Sequence, residues 1–285
     1  MAVDPARLLS YEIPEIVQDL TTRDTILYAL SVGLGADPLD KDQLRFVYED
    51  ALLALPTMAT VLGYAGFWLK HPDAGVDWVK VVHAEQGIRI HQPLPVEGRL
   101  VGRTRVTGLV DKGAGKGALL YSERRVTDVA GNLVATLDQT TFLRGDGGCG
   151  GTTGPAKVPH PTPERAPDLI LDLETSPSQA LIYRLNGDYN PLHADPGVAT
   201  KAGFPRPILH GLATYGVVGH ALLKALCGYR PESLKAMDCR FTAPVFPGET
   251  IRTEIWHEDG GSAAFRARVI ERDAIVLSNG RAEVA

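Results

Sequence analysis

The stretch Gly211-Leu-Ala-Thr-Tyr-Gly-Val-Val-Gly-His-Ala-Leu-Leu-Lys-Ala-Leu226 carries apolar residues on every side of a helix and a single charge, Lys224. A helix of that composition is buried over most of its circumference. Four strand-like segments follow it, at 236–241, 250–257, 263–272 and 274–283. In them Val, Ile, Leu and Phe alternate with Arg, Thr and Glu, the period of a half-buried antiparallel strand. Ile251, Thr253 and Ile255 are expected on one face, and Arg252, Glu254 and Trp256 on the other. A sheet with one dry face must cover it, and the apolar helix is the natural cover.

The same plan is written earlier in the chain. Tyr28-Ala-Leu30 matches Tyr183-Arg-Leu185, Asp37-Pro-Leu-Asp40 matches Asn190-Pro-Leu-His193, and Leu55-Pro-Thr-Met-Ala-Thr60 matches Leu209-His-Gly-Leu-Ala-Thr214. Pro93-Leu-Pro-Val-Glu-Gly98 matches Pro244-Val-Phe-Pro-Gly-Glu249, so four matches run in order at offsets between 151 and 155 residues. That is the mark of a duplication. Each half should hold a short helix (24–32; 178–185), then an apolar helix (55–63; 211–226), then strands, which in the first half are 100–109, 119–128 and 133–143. Between the halves, 145–167 is rich in Gly, Pro and Thr without hydrophobic periodicity and reads as a linker. The expected units are 1–144, a degenerate binding half, and 168–285, a catalytic half. Gly113-Ala-Gly-Lys116 lacks the Ser or Thr of a phosphate loop, since Gly117 follows, and reads as a hairpin turn.

Composition narrows the classes. Of 285 residues 44% are hydrophobic and 22% charged, as in a globular chain. A net charge of −5 from 29 basic and 34 acidic residues argues against a nucleic-acid surface. Cys149, Cys227 and Cys239 show no disulfide or zinc spacing, which fits a reducing compartment. The first residues show no signal peptide and the last, RAEVA, no peroxisomal tripeptide, so a cytoplasmic location is expected. Residues 51–69 are uncharged over a membrane-spanning length, but Pro56, Gly63 and Gly66 favour a broken, buried core helix and no membrane partner.

Chemistry concentrates in Tyr183-Arg-Leu-Asn-Gly-Asp-Tyr-Asn-Pro-Leu-His193 and in Pro207-Ile-Leu-His-Gly211. Gly187 allows a tight turn ahead of Asp188, and Pro191 stiffens the path to His193. A bent loop can close an acid and an imidazole on one small molecule, Asp accepting a proton and His giving or taking one near neutral pH. Asn190 is placed to hold either side chain. Gly211 opens the helix, where free N–H groups favour negative charge and a residue without a side chain admits a carbonyl oxygen. Gly-Asp and Asn-Pro are also ordinary turn residues. The first half, however, has Asp40, Pro56 and Thr57 where the second has His193, His210 and Gly211, so the scaffold does not need these groups.

The motif Gly187-Asp-Tyr-Asn-Pro-Leu-His193, followed by Gly203-Phe-Pro-Arg-Pro-Ile-Leu-His-Gly211, is similar to the signature of the MaoC-like, R-specific 2-enoyl-CoA hydratases. Ile26-Leu-Tyr-Ala-Leu30, Phe46-Val-Tyr-Glu49, His83-Ala-Glu-Gln86 and Pro93-Leu-Pro95 resemble the type 2 hydratase part of peroxisomal multifunctional enzymes. The resemblance implies an α+β double hot dog, two fused antiparallel sheets each wrapping a helix, with the active site in the second half. It implies hydration of trans-2-enoyl-CoA to (3R)-3-hydroxyacyl-CoA, with Asp188 and His193 activating water and the Gly211 N–H binding the thioester oxygen. Glu49, His83, Glu85, Tyr183 and His210 would support substrate binding. Arg206, where relatives often carry Lys, and Lys201 are candidates for the coenzyme phosphates, and Met58 for the acyl chain. No metal and no cofactor beyond the substrate's coenzyme A is expected, and the expected assembly is a homodimer. A dehydratase of a branched or dicarboxylic hydroxyacyl-CoA keeps the same residues. A non-catalytic acyl-CoA-binding subunit would not need an acid–base pair.

Overall fold

The computed structural model describes residues 3–154 and 158–285. In chain order the elements are α1 (Pro5–Leu9), β1 (Ile16–Leu20), α2 (Thr22–Ser31), α3 (Lys41–Leu44), β2 (Val81–Ile90), β3 (Gly98–Asp111), β4 (Ala118–Asp128) and β5 (Leu133–Leu143). The second run is β6 (Thr152–Thr153), β7 (Leu169–Glu174), α4 (Gln179–Tyr183), α5 (Pro196–Lys201), α6 (Gly211–Cys227), β8 (Leu234–Phe241), β9 (Thr250–Glu258), β10 (Ser262–Val269) and β11 (Ala274–Val284).

The strands form one antiparallel sheet in the order β1-β3-β4-β5-β2-β8-β11-β10-β9-β7, with β6 beside β3. The path is a palindrome of the duplication: five strands from each half, joined where β2 pairs with β8. This is the double hot dog, its two half-sheets continuous across the joint. At that joint Glu85 lies opposite Arg240 and Gly87 opposite Asp238. Arg240 donates to Glu85 at 2.6 Å, and Arg89 pairs with Asp238 at 2.7 Å. On the other side of the molecule α2 packs on α4, and Tyr28 meets its repeat counterpart Tyr183 with ring centroids 6.2 Å apart.

The helix α6 is the centre of the core, as its composition predicts; Ala213 to Leu223 are all buried. It packs on β7, β8, β9 and β11. Its approach to the first half depends on missing side chains: a Cβ on Gly219 would lie 2.4 Å from Thr57 Cγ2, and one on Gly216 would lie 2.5 Å from Val32 Cγ1.

Three expectations need correction. The helix expected at 55–63 is a single 3-10 stretch, Pro56–Val61, buried as expected but not α-helical. It stops because Gly63, at φ +56°, turns the chain against Gly102 of β3, where even a Cβ on Gly102 would lie 2.1 Å from the Gly63 carbonyl. The first short helix starts earlier than Asp24: Thr21 is the N-cap, and Asp24 completes a capping box by accepting from the Thr21 N–H. In β9 the alternation holds, with Ile251, Thr253 and Ile255 buried, but the other face is only partly wet. Trp256 is buried there, donating from Nε1 to the Arg165 carbonyl, and Glu254 is buried against Arg266. Part of the stretch read as a linker, residues 155–157, lies outside the described residues; before it, β6 pairs with β3, and Asp111 accepts from the N–H groups of Gly148 and Gly150.

Candidate active site

Gly187, at φ +112°, ends a 3-10 turn (Arg184–Asn186) and reverses the chain ahead of Asp188. The Asp188 carboxylate accepts from the Asn190 N–H at 3.2 Å, which ties it to the next turn. Asn190 thus holds Asp188 through its backbone and not its side chain, whose Oδ1 accepts from the Leu192 N–H at 3.1 Å and caps the 3-10 turn Pro191–His193. That turn, with Pro191 fixing its first φ, delivers His193 into the protein at 8% exposure.

His193 Nδ1 donates to the Ile208 carbonyl at 2.9 Å. The proton is therefore on Nδ1, and Nε2 is left as an acceptor. The strand of chain carrying Ile208 is itself anchored, since the Leu209 N–H donates to the Val245 carbonyl at 2.7 Å. His210 stacks on His193 with centroids 3.7 Å apart and planes 27° apart. Its Nε2–H donates to the Asp188 backbone carbonyl at 3.2 Å, closing the loop over the site. Tyr183 packs on the far side of His210, with centroids 5.0 Å apart.

One donor atom each from Asp188, His193 and His210 lie within 4.8 Å of one another. A water molecule with hydrogen bonds on both sides bridges groups up to roughly 5.5 Å apart. The space is thus sized for one water between a carboxylate and an imidazole lone pair. One carboxylate and two imidazoles are also a donor set a divalent metal accepts. Burial holds His193 below its ordinary value and pushes His210 down to about 4, with the neighbouring His193 adding to the effect. Both rings are neutral in the resting site.

Gly211 begins α6 without a side-chain cap from His210. The first intrahelical donors are Ala213 and Thr214, both to the His210 carbonyl, so the N–H groups of Gly211 and Leu212 precede the helical ladder. A Cβ on Gly211 would lie 3.3 Å from the ring of Phe241, which in turn packs on His83 at 4.8 Å. Burial pushes His83 down to about 4, while the Asp188 carboxylate opposes that shift.

The other expected residues separate. Met58 lines a cleft of about 220 Å³ with Leu20, Val61, Leu62, Leu185 and Gly187, so this space reaches the residue before Asp188. Leu52 and Phe67 do not line it. Glu85 is not open to a substrate: Arg240 holds one carboxylate oxygen and Thr140 the other, at 2.8 Å. Glu49 is exposed beyond α3. Arg206 is exposed with its guanidinium 5.1 Å from the Phe246 ring centroid, and Lys201 is exposed in the last turn of α5.

Two residues near the site escape a sequence reading. Tyr64 and Arg124 flank the region, with the Arg124 guanidinium 5.4 Å from the Tyr64 ring centroid. The Tyr64 hydroxyl is pushed up to about 12, by burial first and by Asp188 second. The signal for Arg124 was its parity: on β4 it shares the inward side with Leu120 and Val126, both buried.

Known proteins place the chain. Residues 159–279 match the MaoC like domain, and residues 19–145 match the MFE-2 hydratase 2 N-terminal domain. The chain is 42% identical to the 3-hydroxyacyl-thioester dehydratase Y of Mycobacterium tuberculosis, over 99% of both chains. It is 40% identical to the peroxisomal enoyl-CoA hydratase 2 of Arabidopsis thaliana, over 95% of this chain and 92% of that one. The crystal structure of a MaoC-like dehydratase from Phytophthora capsici superposes with a TM-score of 0.87 at 34% identity, covering 98% of each chain. With both halves matched, in the order the duplication requires, the chain belongs to the MaoC-like, type 2 enoyl-CoA hydratase family.

Proposed function

We propose that the protein reversibly hydrates a trans-2-enoyl-CoA to the (3R)-3-hydroxyacyl-CoA, with Asp188 and His193 as the acid–base pair. The supporting observation is the water-sized gap between the Asp188 carboxylate and an imidazole whose tautomer leaves Nε2 as an acceptor. In that gap a water gives one hydrogen to Nε2 and one to the carboxylate, and its oxygen lone pair faces the substrate. As the oxygen adds to Cβ, Asp188 takes the proton and charge moves to the thioester oxygen. The Gly211 N–H at the start of α6 stabilises that oxygen, a donor of a kind typically worth about 3–4 kcal/mol in a transition state. The pair then returns a proton to Cα on the same face. Run backwards, the same steps dehydrate a hydroxyacyl thioester, the activity named for the mycobacterial relative.

The remaining assignments complete the proposal. Met58 and its cleft take the acyl chain; His83, Tyr183 and His210 shape the pocket around the pair; Arg206 and Lys201 meet the coenzyme phosphates. Residues 1–144 serve as the binding half and 168–285 as the catalytic half, joined by the 145–167 linker. Addition of water to a conjugated thioester needs a base, an acid and an oxyanion donor, so the reading includes no cofactor besides the substrate's coenzyme A. Among the described residues no helix is long and apolar enough to cross a membrane. A cytoplasmic homodimer is the assembly we propose. The test is loss of enoyl-thioester absorbance with crotonyl-CoA and chiral analysis of the product. A (3R) product is expected; a (3S) product, or no turnover, rejects the reading.

A further inference from the structure

The first half lacks the long helix that covers its counterpart sheet, and the sheet face left behind is polar. Thr104 of β3, Ser122 and Arg124 of β4, Gln139 of β5 and Gln86 of β2 line a small cleft of about 30 Å³, the size of a carboxylate group rather than of a chain, walled by Tyr64 and Trp68. They are neighbours by register: Thr104 lies opposite Arg124, Ser122 opposite Gln139, and Gln139 opposite Gln86.

Arg124 is the unusual member. A guanidinium has five N–H donors in a planar fork. One of them, on Nη2, donates to the Thr60 carbonyl at 2.6 Å, while Nε is buried without a partner. Among the described residues no carboxylate pairs with it. Arg184 shares the buried, unpartnered Nε, whereas Arg89, Arg240 and Arg266 each pair with an acid. A buried cation with an idle N–H is unfavourable until an anion arrives. The hydroxyls of Ser122 and Thr104 stand in the same cleft as further donors. Such a donor-rich pocket suits a carboxylate, not a methyl group.

Its place relative to the reaction is equally specific. The segment from Pro56 to Trp68 divides two clefts: Met58, Val61 and Leu62 line one, together with the carboxylate of Asp24, and Tyr64, Ala65 and Trp68 line the other, which holds the Arg124 cation. β2 carries both Gln86 of the Arg124 cleft and His83, whose ring packs on Phe241 beside Gly211, so this cleft adjoins the start of α6 and the acid–base pair.

Resting on the hydratase reading, we propose that the Arg124 cleft is a second acyl subsite that binds the distal carboxylate of a dicarboxylic acyl-CoA. Methyl-ended chains take the Met58 cleft, and carboxylate-ended chains take the Arg124 cleft, with the thioester held at the same place in both.

Calorimetric binding separates this from the catalytic reading, because saturated acyl-CoAs bind without turnover. Glutaryl-, adipoyl- and suberoyl-CoA are compared with pentanoyl-, hexanoyl- and octanoyl-CoA on the wild-type protein. At one or more chain lengths the dicarboxylic ester should bind at least tenfold tighter than its methyl-ended partner. Arg124→Gln, which can still donate to the Thr60 carbonyl, should abolish that preference while changing Kd for the methyl-ended esters less than threefold. Arg124→Lys, which keeps the charge, should retain part of it. Thermal unfolding of each variant checks the fold, and if Arg124→Gln does not fold, the wild-type comparison and the Lys variant decide. Methyl-ended esters binding as tightly as, or tighter than, dicarboxylic ones at every length would overturn the proposal, as would parallel losses for both classes in Arg124→Gln. Crotonyl-CoA turnover is measured separately, so a protein that prefers dicarboxylic esters but does not hydrate would keep the subsite and reject the reaction.

Discussion

Burial makes an imidazole hold its proton weakly, and this chain keeps several rings in that state. His83, His210 and His220 are each pushed down to about 4, and burial is the largest cause for all three. For the active pair this secures a neutral His193–His210 stack, whose free Nε2 on His193 orients the water while, in the proposed mechanism, Asp188 takes its proton. Asp188→Asn should fold normally and lose about 10²–10⁴ in kcat, the range of a general acid–base group. Retention of a tenth of wild-type kcat would remove Asp188 from that role. The same burial has a price in acid. A histidine whose folded value lies below its unfolded one binds more protons when unfolded, so stability is full above about 6.5 and falls as pH drops toward about 4. His220 is remote from the loop and 1% exposed, with Nε2 3.1 Å from the Tyr229 hydroxyl, so it tests this alone. By linkage it should account for about 2 kcal/mol of the stability lost between pH 7.5 and pH 5. Urea unfolding of His220→Gln at the two pH values should show a loss smaller by about that amount; an unchanged loss would show that His220 titrates normally.

At the scale of elements, the two halves diverge where α6 has its counterpart. Gly211–Cys227 makes a full helix, while Pro56–Val61 makes one 3-10 stretch. Pro56 and Gly63 hinted at a break in the first, but both stretches are apolar and composition did not show how short it would be. What decides is the contact of Gly63 with Gly102, set by a strand some forty residues on and invisible to local pattern. The long strands were legible because Val and Leu alternate with charges. β2 was not, because His83, Glu85, Gln86 and Arg89 break the alternation, and these residues serve the joint with β8 and the site instead. β1 and β7 are short edge strands, with little pattern to read. Asp188, His193, His210 and Gly211 were legible as a dense polar motif before a buried helix. Arg124 was not, because an arginine on a strand normally reads as solvent-facing. The shortened helix also leaves the Met58 cleft, and Met58→Trp should fill part of it. Rates on ten-carbon and longer enoyl-CoAs should fall at least fivefold more than the rate on crotonyl-CoA, with the fold retained by thermal melt. Equal losses at all lengths would place the acyl chain elsewhere.

At the scale of the whole molecule, a palindromic sheet joined at β2 and β8 offers two related positions for a site, one at the start of α6 and one at Pro56–Val61. Only the first has the groups. In the second, Asp40 spends its carboxylate on the N–H groups of Asp42 and Gln43, capping α3, and on the Gln43 side chain. Pro56 stands where the second half has the His210 imidazole, and Thr57, in the place of Gly211, is buried with its methyl group against Gly219. That last contact matters most, because the space an acyl thioester would occupy in a first-half site is filled by the packing of α6 itself. The intact halves cannot both be active without moving the core helix. Titration with a saturated acyl-CoA should therefore give one equivalent per chain, and Thr57→Gly should not create a second, since it removes the methyl group but supplies neither the imidazole nor the loop of 188–193. Two equivalents per chain in the wild-type protein would show that the first half kept a site of its own, and that its 3-10 stretch opens in solution to admit a ligand.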